Sequence, residues 1–480
     1  MKLRNYILIL TFFLCGIQKA EPQNTIDSLI QWFSEGVQQF QDDYYSFVDS
    51  IDLEFAEQLA KSWELFDVEP ALTYPKKPDP KEMPVFVPGN TTVMESFIYD
   101  EPVEDDTIMF EPVVQKNDMQ IYVDSFPVID FFGTPVILSL IKGYETKLTR
   151  IDEKQIADYW IQLSKTNYLT FKDDLLNKKT LLGLGPWGMY QLILKWANAN
   201  YSKQQENEKV IFIVFILNKL GYKAKIGREK TKLFVLMAFS NKIYGKPYIM
   251  AGNDRYYILT ENQIIKDLKI PSYSFNYDYA TLYIDLRMRS LPKLEDNVHN
   301  VKRVFMDKTY TFKCNTNLTD YYETFPLTEL EIYADTPFSA IAEKSIVSEL
   351  ARDMRNKNNT EKLKFLLNLF HHGFEYQSDE EQFGYERFFF SEETLLYPYS
   401  DCEDRAVMFC RMVNLLCGLN TLLIDYPTHV ASAVKINEPG DAIIYKNERY
   451  IVCDPSYFDA TIGRAMKDQD TSKAKIIVVH

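Results

Sequence analysis

Twice in this chain a stretch with helical spacing ends at a glycine and leads into segments that alternate like strands, and that recurrence restricts the fold more than any other feature. In the first occurrence "ENEKVIFIVFILNKL", 206–220, reads as a helix that Gly221 terminates, followed by "YKAKIG", "KLFVLMAF" and, after the turn residues Gly252-Asn253-Asp254, "RYYILT". In the second, "CEDRAVMFCRMVNLLC" runs to Gly418; "NTLLID", "HVASAVKI", the hairpin "AIIYKNERYIVCD" turning near Asn447, and a terminal "AKIIVV" come after it. Setting Gly221 against Gly418 brings Glu206, Val210 and Phe212 onto Glu403, Val407 and Phe409, and "NDRYYILTE" resembles "KNERYIVCD". The expectation is an α+β fold, helix packed on antiparallel sheet, present in two copies. Gln205 then stands where Cys402 stands and Glu261 where Asp454 stands, and the first copy's strand holds no histidine. That copy is expected to carry no chemistry.

Around the two copies, 480 residues leave room for further parts. Residues 1–20 read as an export signal: Lys2 and Arg4 are the charged start, Tyr6 to Ile17 the apolar stretch and Ala20 the cleavage point. Leu14 is too bulky for Cys15 to be favoured as a lipid-attachment site. Residues 21–69 form a helical segment with Trp32, Phe33, Phe40, Phe47 and Trp63 among its apolar positions, and 70–117 a proline-rich then acidic linker. The first copy spans 118–268, a β-rich connector containing "YATLYIDLRM" and "TELEIYA" spans 269–343, and the second copy spans 344–480. A net charge of -15 argues against nucleic acid as a partner. No segment after the signal reaches the roughly 18 apolar residues a membrane helix needs. The expected location is therefore the periplasm, the cell envelope or the medium. Oligomeric state is not legible.

Of six cysteines, Cys314, Cys402, Cys410, Cys417 and Cys453 follow the signal. This odd number without paired spacing does not suggest a disulfide framework. The absence of CxxC and of a close histidine cluster argues against zinc, and no metal or cofactor is expected. His371 and His372, adjacent at a helix end, are expected to be solvated and idle.

Cys402 is the cysteine in a position to react. Ser400-Asp401-Cys402-Glu403 has the form of a capping box, which puts Cys402 in the first turn of a helix, where the helix's positive end favours a thiolate. Ala406, Phe409, Cys410, Val413 and Cys417 continue its apolar face, which points it toward the sheet. His429 opens the strand "HVASAVKI", with small Ala431 and Ala433 on its face as room for the ring. Asp454 ends "RYIVCD" before Pro455, where it can orient His429, while Cys453 points to the other face. A thiolate nucleophile needs such a base and such an orienting group.

"TLLYPYSDCEDRAVMFCRMVNLLCGL", then "HVASAVKI", then "RYIVCDPSY", over roughly the last 130 residues, resembles the transglutaminase-like superfamily, whose members show a D-C-x-D pattern at a helix start, a strand histidine and a strand-end aspartate. The resemblance implies a papain-like core and a catalytic triad of Cys402, His429 and Asp454. The exported, Tyr-rich context also looks like two-copy proteins of Bacteroidetes-type bacteria. Val430 stands where members often have an aromatic residue, and Tyr399-Ser400 where a small glycine is usual. For the oxyanion, the Cys402 N–H is a natural first donor, and Gln382, Gln377 and the Tyr399 hydroxyl are candidates for a second. The implied function is a cysteine peptidase, amidase or transglutaminase-like acyltransferase acting on a protein or peptide through a thioester. Hydrolysis is favoured over crosslinking; the alternative is a non-enzymatic envelope scaffold with a remnant triad.

Overall fold

A computed structural model describes residues 50–74, 128–259, 265–271, 280–467, 469 and 473–480. The signal, most of the proline-rich and acidic linker, and Glu261 lie outside the described residues. The first half contributes β1 (Trp63–Phe66), the hairpin β2 (Val128–Phe131) and β3 (Thr134–Ile137), helices α1 (Glu153–Ser164), α2 (Tyr168–Leu182), α3 (Pro186–Asn200) and α4 (Glu206–Lys219), then β4 (Ala224–Glu229), β5 (Lys232–Ala238), β6 (Tyr248–Ala251), β7 (Asp254–Ile258) and β8 (Leu268–Pro271). The second half opens with the hairpin β9 (Val298–Phe305) and β10 (Lys308–Asn315) and continues through α5 (Thr316–Tyr322), α6 (Leu330–Ala334), α7 (Ala340–Met354) and α8 (Asn359–Gly373). Then come β11 (Glu375–Tyr376), α9 (Asp379–Gln382), α10 (Ser391–Leu396), β12 (Tyr399–Ser400) and α11 (Cys402–Cys417). The chain ends with β13 (Thr421–Tyr426), β14 (His429–Val434), β15 (Ala442–Tyr445), β16 (Glu448–Cys453) and β17 (Lys475–Val479).

The two large sheets share one topology. Beyond the extra edge strand β1, the first runs β8-β4-β5-β7-β6 and the second β17-β13-β14-β16-β15, with all neighbours antiparallel. Through the first two strands the residue offset is constant as well: 418 − 221, 421 − 224 and 429 − 232 all equal 197, pairing Gly418 with Gly221, β13 with β4 and β14 with β5. Gly221 (φ +87°) and Gly418 (φ +64°) end their helices in the left-handed region, which glycine enters without the Cβ penalty. Each half is also headed by a hairpin with a two-residue left-handed turn, Phe132-Gly133 and Met306-Asp307. Gln205, at the position equivalent to Cys402, is buried as a cap: its Oε1 accepts from the Ser202 amide and hydroxyl. Lys232 takes the place of His429.

One continuous core joins the halves. Trp160, Phe212 and Phe215 of the first pack in the same apolar cluster as Cys402, Ala406, Val407 and Cys410 of α11 and Leu423 and Val430 beneath it. A second cluster, under α7, α8 and the other side of α11, includes Val301, Phe305, Tyr310 and Phe312 of the β9–β10 hairpin. Residues 298–315, read from sequence as connector, are thus structural members of the C-terminal core. "TELEIYA" forms the short helix α6 instead of a strand, with Leu330, Ile332, Tyr333 and Ala334 buried. Of "YATLYIDLRM", residues 280–288 are described; they form no named strand and pair at isolated points, Leu282 with Tyr222 and Ile284 with Phe239. Residues 50–59 are helical and pack Phe55, Ala56 and Leu59 into the shared core, whereas Trp63–Phe66 leave the helical pattern to pair with β8. Among the described residues no helix is long and apolar enough to cross a membrane.

Gly440 marks the tightest backbone approach near the second sheet. At φ +123° it faces Gly463, whose carbonyl a Cβ would strike, while the Asp441 amide donates to that same carbonyl at 2.8 Å. Gly440→Ala is expected to cost about 2–3 kcal/mol in urea denaturation, since strained φ and steric overlap add. Gly245→Ala, also at positive φ but with open space around it, is the control for strain alone.

Candidate active site

The site begins where β12 pairs in parallel with β11, so that the Gln377 amide meets the Ser400 carbonyl and the chain turns into α11 at Asp401. The capping box expected from sequence does not form. Asp401 is the N-cap and makes no side-chain cap hydrogen bond, and the Ser400 hydroxyl instead accepts from Arg405 Nε at 3.3 Å. With Cys402 as the first helical residue, Glu403 is one place too early to reach back. Its Oε2 accepts from the Cys402 thiol at 2.8 Å instead. Asp404, in the third place, is the residue that turns back, with Oδ1 accepting from the Phe389 amide at 2.8 Å.

The Cys410 thiol, against the Leu422 carbonyl at 3.7 Å, fixes how α11 lies over the sheet. From that contact α11 runs back eight residues to Cys402, about 12 Å. β13 runs on four residues to Tyr426, about 13 Å, and Tyr426 pairs with His429. Cys402 and the start of β14 therefore stand at the same end of the helix–sheet layer. Val430 packs on the α11 side, in the cluster that holds Cys402. Ala431, Ala433 and Tyr426, the strand partner of His429, pack on the far face with Leu422, Ile424, Tyr450 and Val452, so strand alternation assigns His429 to the face away from α11 and the room read beside it from sequence is filled by apolar side chains.

His429 and Asp454 meet directly: Nε2 and Oδ2 are 2.7 Å apart, both fully buried. Asp454 Oδ1 accepts from the Ser456 amide and hydroxyl and from the Tyr457 amide. Burial alone would raise the Asp454 carboxyl, but the imidazole's charge and hydrogen bond and the Ser456 donors hold it below its ordinary value. His371 was expected to be solvated. It is buried, its Nε2 lies 3.0 Å from the Asp454 carbonyl, and burial lowers its pKa. His372 is the exposed neighbour, 3.3 Å from Asp459. Cys410 and Cys417 are pushed up to about 12 and about 11 by burial. Cys314 and Cys453 are also raised by burial, so these four read as structural. No disulfide links the described cysteines.

Two tyrosines that sequence did not single out border Cys402. Tyr376, on β11, and Tyr74 both have hydroxyls raised by burial and then by nearby anionic groups, Cys402 and Glu403 among them. Tyr74 arrives from the segment expected to begin the spacer. Leu72 pairs with Tyr244 at the rim of the first sheet, and the Tyr74 ring sits edge-on to Tyr244 and Phe388 while its hydroxyl donates to Asp425 at 3.4 Å. Of the expected oxyanion donors, Gln377 is placed beside Ser400 by its main chain and Tyr399 lies within β12; Gln382 ends α9. All three are partly exposed.

Carboxylates crowd the same corner. One oxygen each from Asp379, Asp401 and Glu403 lies within 4.8 Å of the others, with all three residues buried. These are the residues that could hold a metal. Burial, followed by like charge, pushes Asp379 up to about 7 and Asp401 and Asp404 well above the carboxylate range. Compared with known proteins, the chain matches no family model, no curated protein and no solved structure.

Proposed function

We propose that the chain is an exported cysteine acyl-transfer enzyme of transglutaminase-like type, with Cys402 as nucleophile, His429 as base and acid, and Asp454 as the group that orients the imidazole. The observation that carries this reading is the buried His429–Asp454 pair at the end of the sheet where α11 presents its first residue. With Asp454 on Nε2, Nδ1 would be the nitrogen that exchanges a proton with sulfur. The Cys402 sulfur would attack the carbonyl carbon of a protein or peptide amide as its proton passes to His429. On collapse the C–N bond breaks, His429 returns the proton to the departing amine, and a thioester remains. Water, activated by the same imidazole, would release the acid; an amine would give a new amide. Hydrolysis is the favoured outcome. The Cys402 amide would be the first oxyanion donor, and the Tyr376 hydroxyl, which burial keeps protonated, would join Gln377, Gln382 and Tyr399 as a candidate for the second.

The first half favours a second reading, a binding or scaffold protein of the envelope. It keeps the same sheet with Gln205 and Lys232 where the second half has Cys402 and His429, so this architecture persists without a nucleophile.

Alkylation by iodoacetamide across pH, mapped by mass, separates the two. The enzyme reading expects Cys402 to label fastest, with an apparent pKa below the roughly 8.5 of a free thiol, and expects a peptide panel to show amine or ammonia release. Uniformly slow labelling of all cysteines with no release would leave the scaffold.

A further inference from the structure

The geometry points to a cation site at the start of α11, in which Asp379, Asp401 and Glu403 together bind one calcium ion immediately beside Cys402. Three oxygens no more than 4.8 Å apart share a point at most about 2.8 Å from each, a span that includes the 2.3–2.6 Å of calcium–oxygen bonds. The donors are all carboxylate, which suits a hard divalent ion and not zinc. Asp401 is 7 % exposed, and its Oδ1 is buried with no hydrogen-bond partner, as is Oδ2 of Asp404, 1 % exposed, next to it.

Helix capping does not account for this cluster. An acid or two at a helix N-terminus serves its positive end, but Asp401 makes no cap hydrogen bond, and three carboxyls converging on one point repel one another. The guanidinium groups nearby direct their hydrogen bonds elsewhere, and Arg405, whose charge is felt by Asp401 and Asp404, is one positive charge among several carboxyls. Arg387 gives its amide to Asp379 at 2.6 Å but its guanidinium to Glu393 at 2.7 Å. Arg405 spends its guanidinium on the Phe370 and Phe374 carbonyls and Ser400. Without a further cation the cluster must hold protons in order to stay buried. Calcium would replace them, bring Asp401, Glu403 and Asp379 to a common centre and so tie α9 to the first turn of α11. It would also place positive charge next to the thiol.

This site does not depend on the acyl-transfer reading, and the test keeps them apart. Full-length protein stripped with a chelator is titrated calorimetrically with calcium chloride and, separately, magnesium chloride, and its melting is followed in each. One equivalent of calcium is expected to bind at least about tenfold more tightly than magnesium and to raise the melting temperature by roughly 5 °C at saturation. Cys402→Ala is expected to bind calcium as the parent does, so loss of thiol chemistry leaves the site readable. Asp401→Asn with Glu403→Gln is expected to abolish the calcium response while melting in chelator at or above the parent, because it removes buried repulsion. Asp379→Asn, which leaves both neighbours of Cys402 in place, is expected to weaken calcium at least about tenfold. The assignment is overturned by no heat or shift at millimolar calcium, by magnesium binding as tightly as calcium, or by a full calcium response in either variant.

Discussion

Replacing His429 with alanine is expected to lower turnover of a cleavable amide by about a thousand- to ten-thousandfold per folded molecule, and to lower the melting temperature as well, because Asp454 is left buried without its partner. The thiol loses the group that takes its proton and returns it to the amine, and alkylation of Cys402 near neutral pH should slow with it. Asp454→Asn is expected to fall in the same range for a different reason. An amide can still bond Nε2, but it no longer stabilises the imidazolium or fixes which nitrogen carries the proton. The pH dependence of the pair has a definite sign. The folded carboxyl of Asp454 lies below its unfolded value, so its stabilising contribution is complete above the unfolded value and is lost as pH falls through the folded one. At neutral pH the pair is intact, and an activity lost there on mutation reports chemistry. Circular dichroism and melting of both variants, run beside peptide turnover, make the check. A decrease of less than about tenfold for His429→Ala would remove the imidazole from the mechanism.

What the sequence made legible was local. The two glycine-terminated helices, the strands behind them and their constant spacing follow from periodicity and from Gly221 and Gly418, each a property of a few neighbouring residues. The His429–Asp454 pair was within reach because strand order on a hairpin sheet is nearly dictated by chain order. What escaped depends on contacts across long separations. Tyr74 meets Asp425 351 residues away, and nothing in "LTYP" records that the segment before the prolines would lie on the first sheet's rim. His371 looked idle because a doublet at a helix end says nothing about which ring faces inward; the Asp454 carbonyl decides that. Asp379 sits in a stretch that reads as acidic loop, and only the return of the chain through β11 and β12 brings it to Asp401. Glu403 was assigned to a capping box on spacing alone. A helix that starts one residue later than that box requires redirected it to the sulfur.

Arg405→Met is expected to destabilise the protein by about 3–5 kcal/mol in urea denaturation, the largest stability effect of any single substitution near the site. The side chain is 2 % exposed, and burial lowers its pKa to about 10, which still leaves it charged at neutral pH. Its NH2 nitrogen donates to the Phe374 carbonyl at 2.7 Å and NH1 to Phe370 at 3.3 Å, closing the last turn of α8, where a positive charge is favoured by the helix's negative end. Nε ties the same group to Ser400, and the guanidinium lies over the Tyr376 ring at 5.3 Å. Asp401, Asp404 and Asp454 all feel its charge. Methionine fills most of the volume, so the predicted loss comes from carbonyls left without donors and carboxylates left without their buried counter-charge, not from a cavity. Arg405→Lys keeps the charge but cannot reach three acceptors from one planar group, and a smaller loss is expected. If the methionine variant unfolds within about 1 kcal/mol of the parent, the fork does not hold the helices that carry Cys402 and His371 together, and the carboxylates beside the thiol must be neutralised by protons or by a bound cation alone.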